Sequence, residues 1–429
     1  MNSEKVSIVA KGRRRKIKAL IGFAVAGSMF LAACGGSSSS SDADADADAE
    51  APAEAIVVPT GEPLKVMTLT PINSPISSYP NIAKAAEIYE QYINERGGIA
   101  GRPLEVTVCD DKADPNESAA CGRKAVANGD IAFVGSYTID PSSLFPILEE
   151  NSIGWFGACC PGTAVEFTSP MSFVMGSTFA LFMSGPKKMI EDGCKKPVVI
   201  VGDTGAADYF IGQGKLGFEA QGFDPDDAVY IKLPLGAADM SAQAAQATKG
   251  TDCIFGVMGD ISWMAFLPAF SSVGGTQRLY GPQGNLNSKV AEAFPKETEN
   301  GIIINSYPNL ISPAWDEYRK ALVQYKAPDL DWNSLAGLGT WAAFEGFRKI
   351  VEGMTGEVTA KTFSAAARAT SNLEMDGMTI NLDWTTPWAA LGGSVPNIIN
   401  RTIYYDLISG GKVAPLDNNT PHDMSSVYK

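Results

Sequence analysis

Histidine is almost missing from this chain: His422, close to the C-terminus, is the one instance in 429 residues. That leaves no Ser-His-Asp or Cys-His pair for a formed core, and no histidine-based zinc site. No two cysteines stand in C-x-x-C spacing, so a thiolate metal site is not expected either. Positive charge is scarce, with 34 Lys and Arg against 48 Asp and Glu. Seven of those basic residues fall before residue 34, so the remainder is more acidic still. A polyanion repels phosphate backbones, and nucleic acid is not an expected partner.

The front of the chain does carry an apolar run, residues 19–33, behind the basic cluster at 13–18. A comfortable membrane span needs about 20 residues, and this run is shorter. Basic, apolar and then small residues are the order of a secretory signal. The run closes on Leu31-Ala32-Ala33-Cys34-Gly35, which resembles the bacterial lipobox. The resemblance implies cleavage before Cys34, lipidation of its sulfur and an anchor in the cell membrane. Serines and alternating Asp-Ala pairs follow, with almost nothing to bury. Residues 1–33 therefore read as a signal peptide and 34–60 as a disordered acidic tether.

From Leu64 onward, short apolar runs alternate with helical stretches. Strands are expected at 64–69, 104–109, 131–134 and 153–156, and again at 198–201, 229–233, 253–257, 278–280 and 302–304. Helices are expected between them, the first capped by Asn81. Helices at 314–325, 334–352 and 360–371 and strand-like segments at 378–382 and 402–407 complete the chain. This alternation means an α/β fold with two doubly wound parallel-sheet lobes. Gly212, Gly214 and Gly217 fit the dinucleotide fingerprint G-x-G-x-x-G. That motif must open a helix directly after a strand, and here the strand ends nine or more residues earlier. The glycines read instead as a close helix contact, and no cofactor is expected.

Six cysteines remain after Cys34, an even number in an exported chain. Cys194 precedes and Cys253 begins strands that are neighbours in a 2-1-3 order, and Cys109 and Cys121 permit a local clasp. Cys159 and Cys160 are adjacent; a bond between them and two free thiols stand as alternatives. Ligands of doubly wound sheets bind beyond the carboxyl ends of the strands. Those places hold Tyr137, Ser142, Ser143, Ala158, Cys159 and Cys160 in the first series, and Tyr209, Asp260 and Trp263 in the second. The serines offer hydroxyls, while Tyr137, Phe156, Tyr209 and Trp263 offer apolar walls. The pair Asp110-Asp111 follows an outer strand and reads as turn residues, so no enzyme is expected.

Leu64-Lys65-Val66 leading to Thr70-Pro71, the run Tyr92-Ile93-Asn94-Glu95-Arg96-Gly97-Gly98-Ile99-Ala100-Gly101-Arg102-Pro103-Leu104, and Cys109-Asp110-Asp111-Lys112-Ala113-Asp114-Pro115 are specific. With Gly281-Pro282-Gln283-Gly284 and Thr340-Trp341-Ala342-Ala343, they resemble the solute-binding proteins of branched-chain amino acid ABC transporters. The resemblance implies a type I periplasmic-binding-protein fold, a venus flytrap of two lobes joined by three hinge crossings. The crossings are expected near Met183, at 304–308 and at 383–388. Lobe 1 is then 61–182 with 308–385, and lobe 2 is 183–307 with 386–429. Implied partners are a small organic solute, permease subunits of an ABC transporter, and the membrane through the lipid anchor.

The resemblance also implies ligand contacts. Relatives that bind α-amino acids hold the carboxylate with hydroxyls after the fourth strand of lobe 1 and at the preceding helix start. Here the first place reads Ala158-Cys159-Cys160-Pro161, and Ser142 or Ser143 stands at the second. Asp260 stands where an acid meets the ammonium, and Tyr209 matches the tyrosine that packs on the ligand. The cysteines favour a less polar solute, an aromatic or aliphatic acid or amide. A ligand-sensing protein that feeds a membrane receptor is the alternative on the same fold.

Overall fold

The computed structural model describes residues 57–427 apart from 75–77, 204–206, 235, 238 and 390. The expected leader, Cys34 and most of the expected tether lie outside the described residues. Five parallel strands form the first sheet: β1 (Leu64–Leu69), β2 (Leu104–Cys109), β3 (Ala132–Val134), β4 (Gly154–Phe156) and β5 (Ser172–Phe173), ordered β2-β1-β3-β4-β5. They are linked by α1 (Pro80–Asn94), α2 (Pro115–Asn128), α3 (Phe145–Asn151) and α4 (Ala164–Thr168). The period of two along β1 divides its side chains: Leu64 and Val66 enter one core, Met67 and Leu69 the other. The start of α2 is written locally. Asp114 accepts the Asn116 and Glu117 N–H groups, Pro115 takes the first turn, and Gly129 ends the helix at φ 74°.

The chain continues through α5 (Thr178–Glu191), β6 (Pro197–Gly202), α6 (Ala207–Glu219), β7 (Val229–Leu233), α7 (Ser241–Thr248) and β8 (Cys253–Val257). Then come α8 (Asp260–Ser272), β9 (Arg278–Pro282), α9 (Ser288–Ala293) and β10 (Ile302–Asn305). The parallel order is β7-β6-β8-β9-β10. After α10 (Asp316–Gln324), α11 (Leu335–Gly353) and α12 (Ala360–Arg368), the chain returns as β11 (Thr402–Ser409), antiparallel to β10. β12 (Lys412–Pro415) and β13 (His422–Asp423) then pair antiparallel with β11. In β6, Val199 and Val201 face the core shared with α5 and α6, while Val198 and Ile200 face α7 to α9.

Of the three glycines of α6, Gly217 is the one in close contact: a Cβ there would lie on the Met183 carbonyl, whereas one on Gly214 would sit at an ordinary 3.5 Å from Pro186 and one on Gly212 would meet nothing within 4 Å. Both disulfides expected between distant cysteines are present, Cys194–Cys253 and Cys109–Cys121. Among the described residues, no helix is long and apolar enough to cross a membrane.

Three segments carry the chain between the sheets, and two differ from expectation. The first is 174–177, between β5 and α5. Met183 lies inside α5, a buried helix that packs on the second sheet and interrupts its ladder at Pro186. The second is 306–308, after β10, as expected. The third is 398–401, just before β11. Residues 383–388 are not a crossing, because Trp384 packs on Phe156 and Phe173 and its indole N–H donates to the Val174 carbonyl at 3.2 Å. The amide of Asn397 still donates to Phe167 of the first lobe. Residues 378–382 form no strand beyond the single bridge Leu373–Leu382. Helix α1 starts at Pro80 rather than behind Asn81, whose side-chain amide donates to Ser334 Oγ at 2.8 Å.

Candidate ligand-binding site

The carboxyl ends of β3 and β4 both turn on glycines. Gly135 has φ 61° and Gly157 φ 63°. A Cβ at Gly135 would meet the Cα of Thr340 at 2.9 Å, so α11 closes against this turn, and Thr340 Oγ1 donates to the Gly135 carbonyl. These turns lead into Ser136-Tyr137 and Ala158-Cys159-Cys160. The Cys159 N–H donates to the Ser136 carbonyl at 3.1 Å. Cys159 and Cys160 are joined to each other, which settles the alternative left by the sequence. Cys159 is buried with Ile82 and Ala336, and Tyr79, Tyr137 and Cys160 pack half-buried against them. Tyr79 and Tyr137 meet edge to face with centroids 4.9 Å apart. The result is an apolar corner with a disulfide in its floor.

Tyr307, on the second crossing, was not visible as a candidate in the sequence. Its ring is fully buried, and its hydroxyl has no hydrogen-bond partner among the described residues. A Cβ on Gly176 would lie 3.1 Å from that oxygen, and one on Gly339 would lie 3.3 Å from it and 3.4 Å from the Cys159 Cα. The phenol therefore lies between two crossing segments, beside the cysteine pair. Burial pushes it well above the ordinary tyrosine range, so it is a neutral donor.

Tyr209, on α6, packs half-buried against Phe210, with its hydroxyl buried and unpartnered. Burial raises this phenol too, and the Glu166 carboxylate adds to the rise. Asp260 opens α8, and its carboxylate accepts the Ile261 N–H at 2.8 Å. Asp331, ahead of α11, is pushed up to about 6, by burial first and by Asp260 in addition, against the Asn333 N–H. Hydrogen bonds also span the lobes, from Gln283 Nε2 to the Asn333 carbonyl at 2.8 Å and from Thr178 Oγ1 to the Cys159 carbonyl at 3.3 Å.

Other expected residues fall elsewhere. Trp263 is a core residue of the second lobe, packed where a Gly256 side chain would be and against Phe266, because its helix turns that face onto the sheet. Phe156 is core in the first lobe. Ser142 and Ser143 stay exposed on a turn, since α3 does not begin until Phe145. Ala158 is buried on the α2–α3 side of the first sheet.

The periplasmic binding protein family profile matches residues 63–391. A leucine-, isoleucine-, valine-, threonine- and alanine-binding protein of Pseudomonas aeruginosa is 26% identical over 344 residues, 75% of this chain and 88% of its own length. A solute-binding protein of an R. palustris ABC transporter, solved with benzoate, has 18% identity and a TM-score of 0.67, over 85% of this chain and 98% of that one. A branched-chain amino acid transporter substrate-binding protein of Streptococcus pneumoniae, solved with isoleucine, has 15% identity and a TM-score of 0.65, over 82% and 97%. Two parallel-sheet lobes with polar groups gathered at facing strand ends, and a profile spanning both lobes, make this chain a member of the periplasmic binding protein family: an extracytoplasmic solute receptor of the ABC-transport type, and not an enzyme.

Proposed function

We propose that this protein is an envelope-anchored lipoprotein that captures a small acid, amide or amino acid with an apolar body and hands it to an ABC permease. The observation that carries the reading is the corner of Tyr79, Ile82, Tyr137, Ala336 and the cysteine pair, with the unpartnered Tyr307 phenol beside it. An apolar wall with few convergent polar groups suits a hydrocarbon body held by one polar head. The first lobe supplies Tyr137, Cys159 and Cys160, and the second supplies Tyr209 and Asp260; the crossings at 174–177, 306–308 and 398–401 act as the pivot. Neither half buries a solute alone, so binding favours closure. The relatives' solutes, branched-chain amino acids and benzoate, differ in one respect that Asp260 addresses, the ammonium group.

Calorimetry with leucine, phenylalanine and benzoate on wild type and Asp260→Asn tests this. If an amino acid is the solute, the variant loses about 2–4 kcal/mol, the usual penalty for breaking a buried charge pair. If benzoate is, binding holds or improves. Failure of all three to bind removes the solute class. For the anchor, Cys34→Ala should move the protein from membranes to the soluble fraction; a variant that stays membrane-bound with its leader removed refutes lipidation.

A further inference from the structure

The three disulfides differ most in the length of chain they close. Cys194–Cys253 spans 59 residues, Cys109–Cys121 spans 12, and Cys159–Cys160 spans one. Disulfide stabilisation through the unfolded chain grows with loop length, so the adjacent pair adds the least to global stability. What it fixes is local. Cys159 donates its N–H to the end of β3 and accepts at its carbonyl from Thr178, the first residue after the first crossing. Its Cα faces the Tyr307 phenol of the second crossing across Gly339. Cys160, like Cys109, is half-buried, whereas Cys159, Cys121, Cys194 and Cys253 are buried. The bond thus lies at the meeting point of the apolar corner and two hinge segments, with one sulfur-bearing residue toward solvent.

We infer that the Cys159–Cys160 disulfide determines solute affinity and makes it depend on redox state; the inference rests on the solute-binding reading above. While the bond is closed, the two sulfurs offer no S–H donor and the turn is held in one conformation, so an apolar solute meets a preformed floor. A dithiol reductant opens it in a balanced exchange. One thiolate attacks a cysteine sulfur and breaks the S–S bond, and the second thiol resolves the mixed disulfide. The reductant leaves as its own disulfide, and Cys159 and Cys160 keep two electrons and two protons as thiols. The open turn carries two weak S–H donors and regains torsional freedom at the 159–160 peptide, which the solute must then order.

The test compares oxidised protein, the same protein after dithiothreitol, and the Cys159→Ser/Cys160→Ser double variant. The tightest binder among leucine, phenylalanine and benzoate is titrated by calorimetry. Alkylation and peptide mass mapping identify which sulfurs are free. The expected result is release of the adjacent pair before the other two bonds, with affinity weakened roughly tenfold, the scale of an altered apolar pocket contact. The double variant should bind as weakly, ignore reductant and keep the wild-type melting temperature. Equal affinity before and after opening of the pair overturns the inference and leaves the transport reading intact. So does a reductant response that persists in the double variant, or reduction of the two long-range bonds first. If the oxidised wild type binds none of the three compounds, the proposed solute class falls and the inference falls with it.

Discussion

The side-chain amide of Asn400 donates to the Met175 carbonyl at 2.9 Å, tying the third crossing to the first across 225 residues of sequence. Its oxygen accepts the Thr402 N–H at 3.0 Å, so both ends of one buried amide are committed at the pivot. Asn400→Ala leaves two backbone groups without their partner. Urea unfolding should register a loss of about 1–3 kcal/mol, the cost of orphaned buried polar groups. A variant indistinguishable from wild type in urea would show that solvent replaces this amide freely.

Tyr307→Phe should act in opposite directions on the empty and loaded protein. The hydroxyl has no partner among the described residues, so removing it should leave the stability of the protein without solute unchanged or raise it by up to about 1 kcal/mol. If the phenol donates to the bound solute, affinity should fall by about 1–2 kcal/mol. Thermal melts with and without solute separate the two effects. An unaltered solute affinity would remove Tyr307 from the site.

Asp130 is buried at the opposite end of the first sheet, and neither carboxylate oxygen has a hydrogen-bond partner by geometry among the described residues. Burial pushes it up to about 6, with Glu105 adding and Asn128, Lys65 and Lys124 opposing. The folded state then binds this proton more tightly than the unfolded chain. Its favourable contribution is full below about pH 4 and is lost as pH rises through 6. Asp130→Asn should therefore stabilise the protein by about 2 kcal/mol at pH 7.5 and change little at pH 4. Chemical denaturation at the two pH values checks this; equal effects at both would contradict the assignment.

The long-range disulfides should rank by loop length. Replacing Cys194 and Cys253 with serine should cost about 4 kcal/mol, and replacing Cys109 and Cys121 about 3 kcal/mol. Denaturant midpoints of the two double variants give the comparison, and a reversed order would mean that local packing outweighs chain entropy.

The strands of both sheets were legible because their β-branched and apolar residues alternate between two cores, as in Val198 to Val201. Helix α5 was not, since its first half, Thr178 to Met183, is buried throughout and Gly185-Pro186 interrupts it before Lys187, Lys188 and Glu191. That concealment displaced the first hinge to Met183. The two-residue strand β5 is too short to leave a pattern. For the proposed site, Tyr137, Cys159, Cys160, Tyr209 and Asp260 are candidates because of their places after strands. Trp263 was misread because a residue three positions into a helix can face either the cleft or the sheet, and sequence alone does not fix the rotation. Tyr307 gave no signal, being one aromatic among crossing residues whose meaning comes from Gly176 and Gly339, each more than 30 positions away.

Helix α11 covers the sheet of the first lobe, where Trp341 meets Tyr89 edge to face at 4.9 Å and Phe344 stacks on it at 5.0 Å. The lobe thus borrows its lid from chain synthesised after the second lobe's parallel strands are complete. A growing polypeptide that has reached β10 holds most of the second core but only an uncovered half of the first. Burial of Tyr89 should follow rather than precede assembly of the later sheet, and the order in which the halves mature should be the reverse of their order in the sequence.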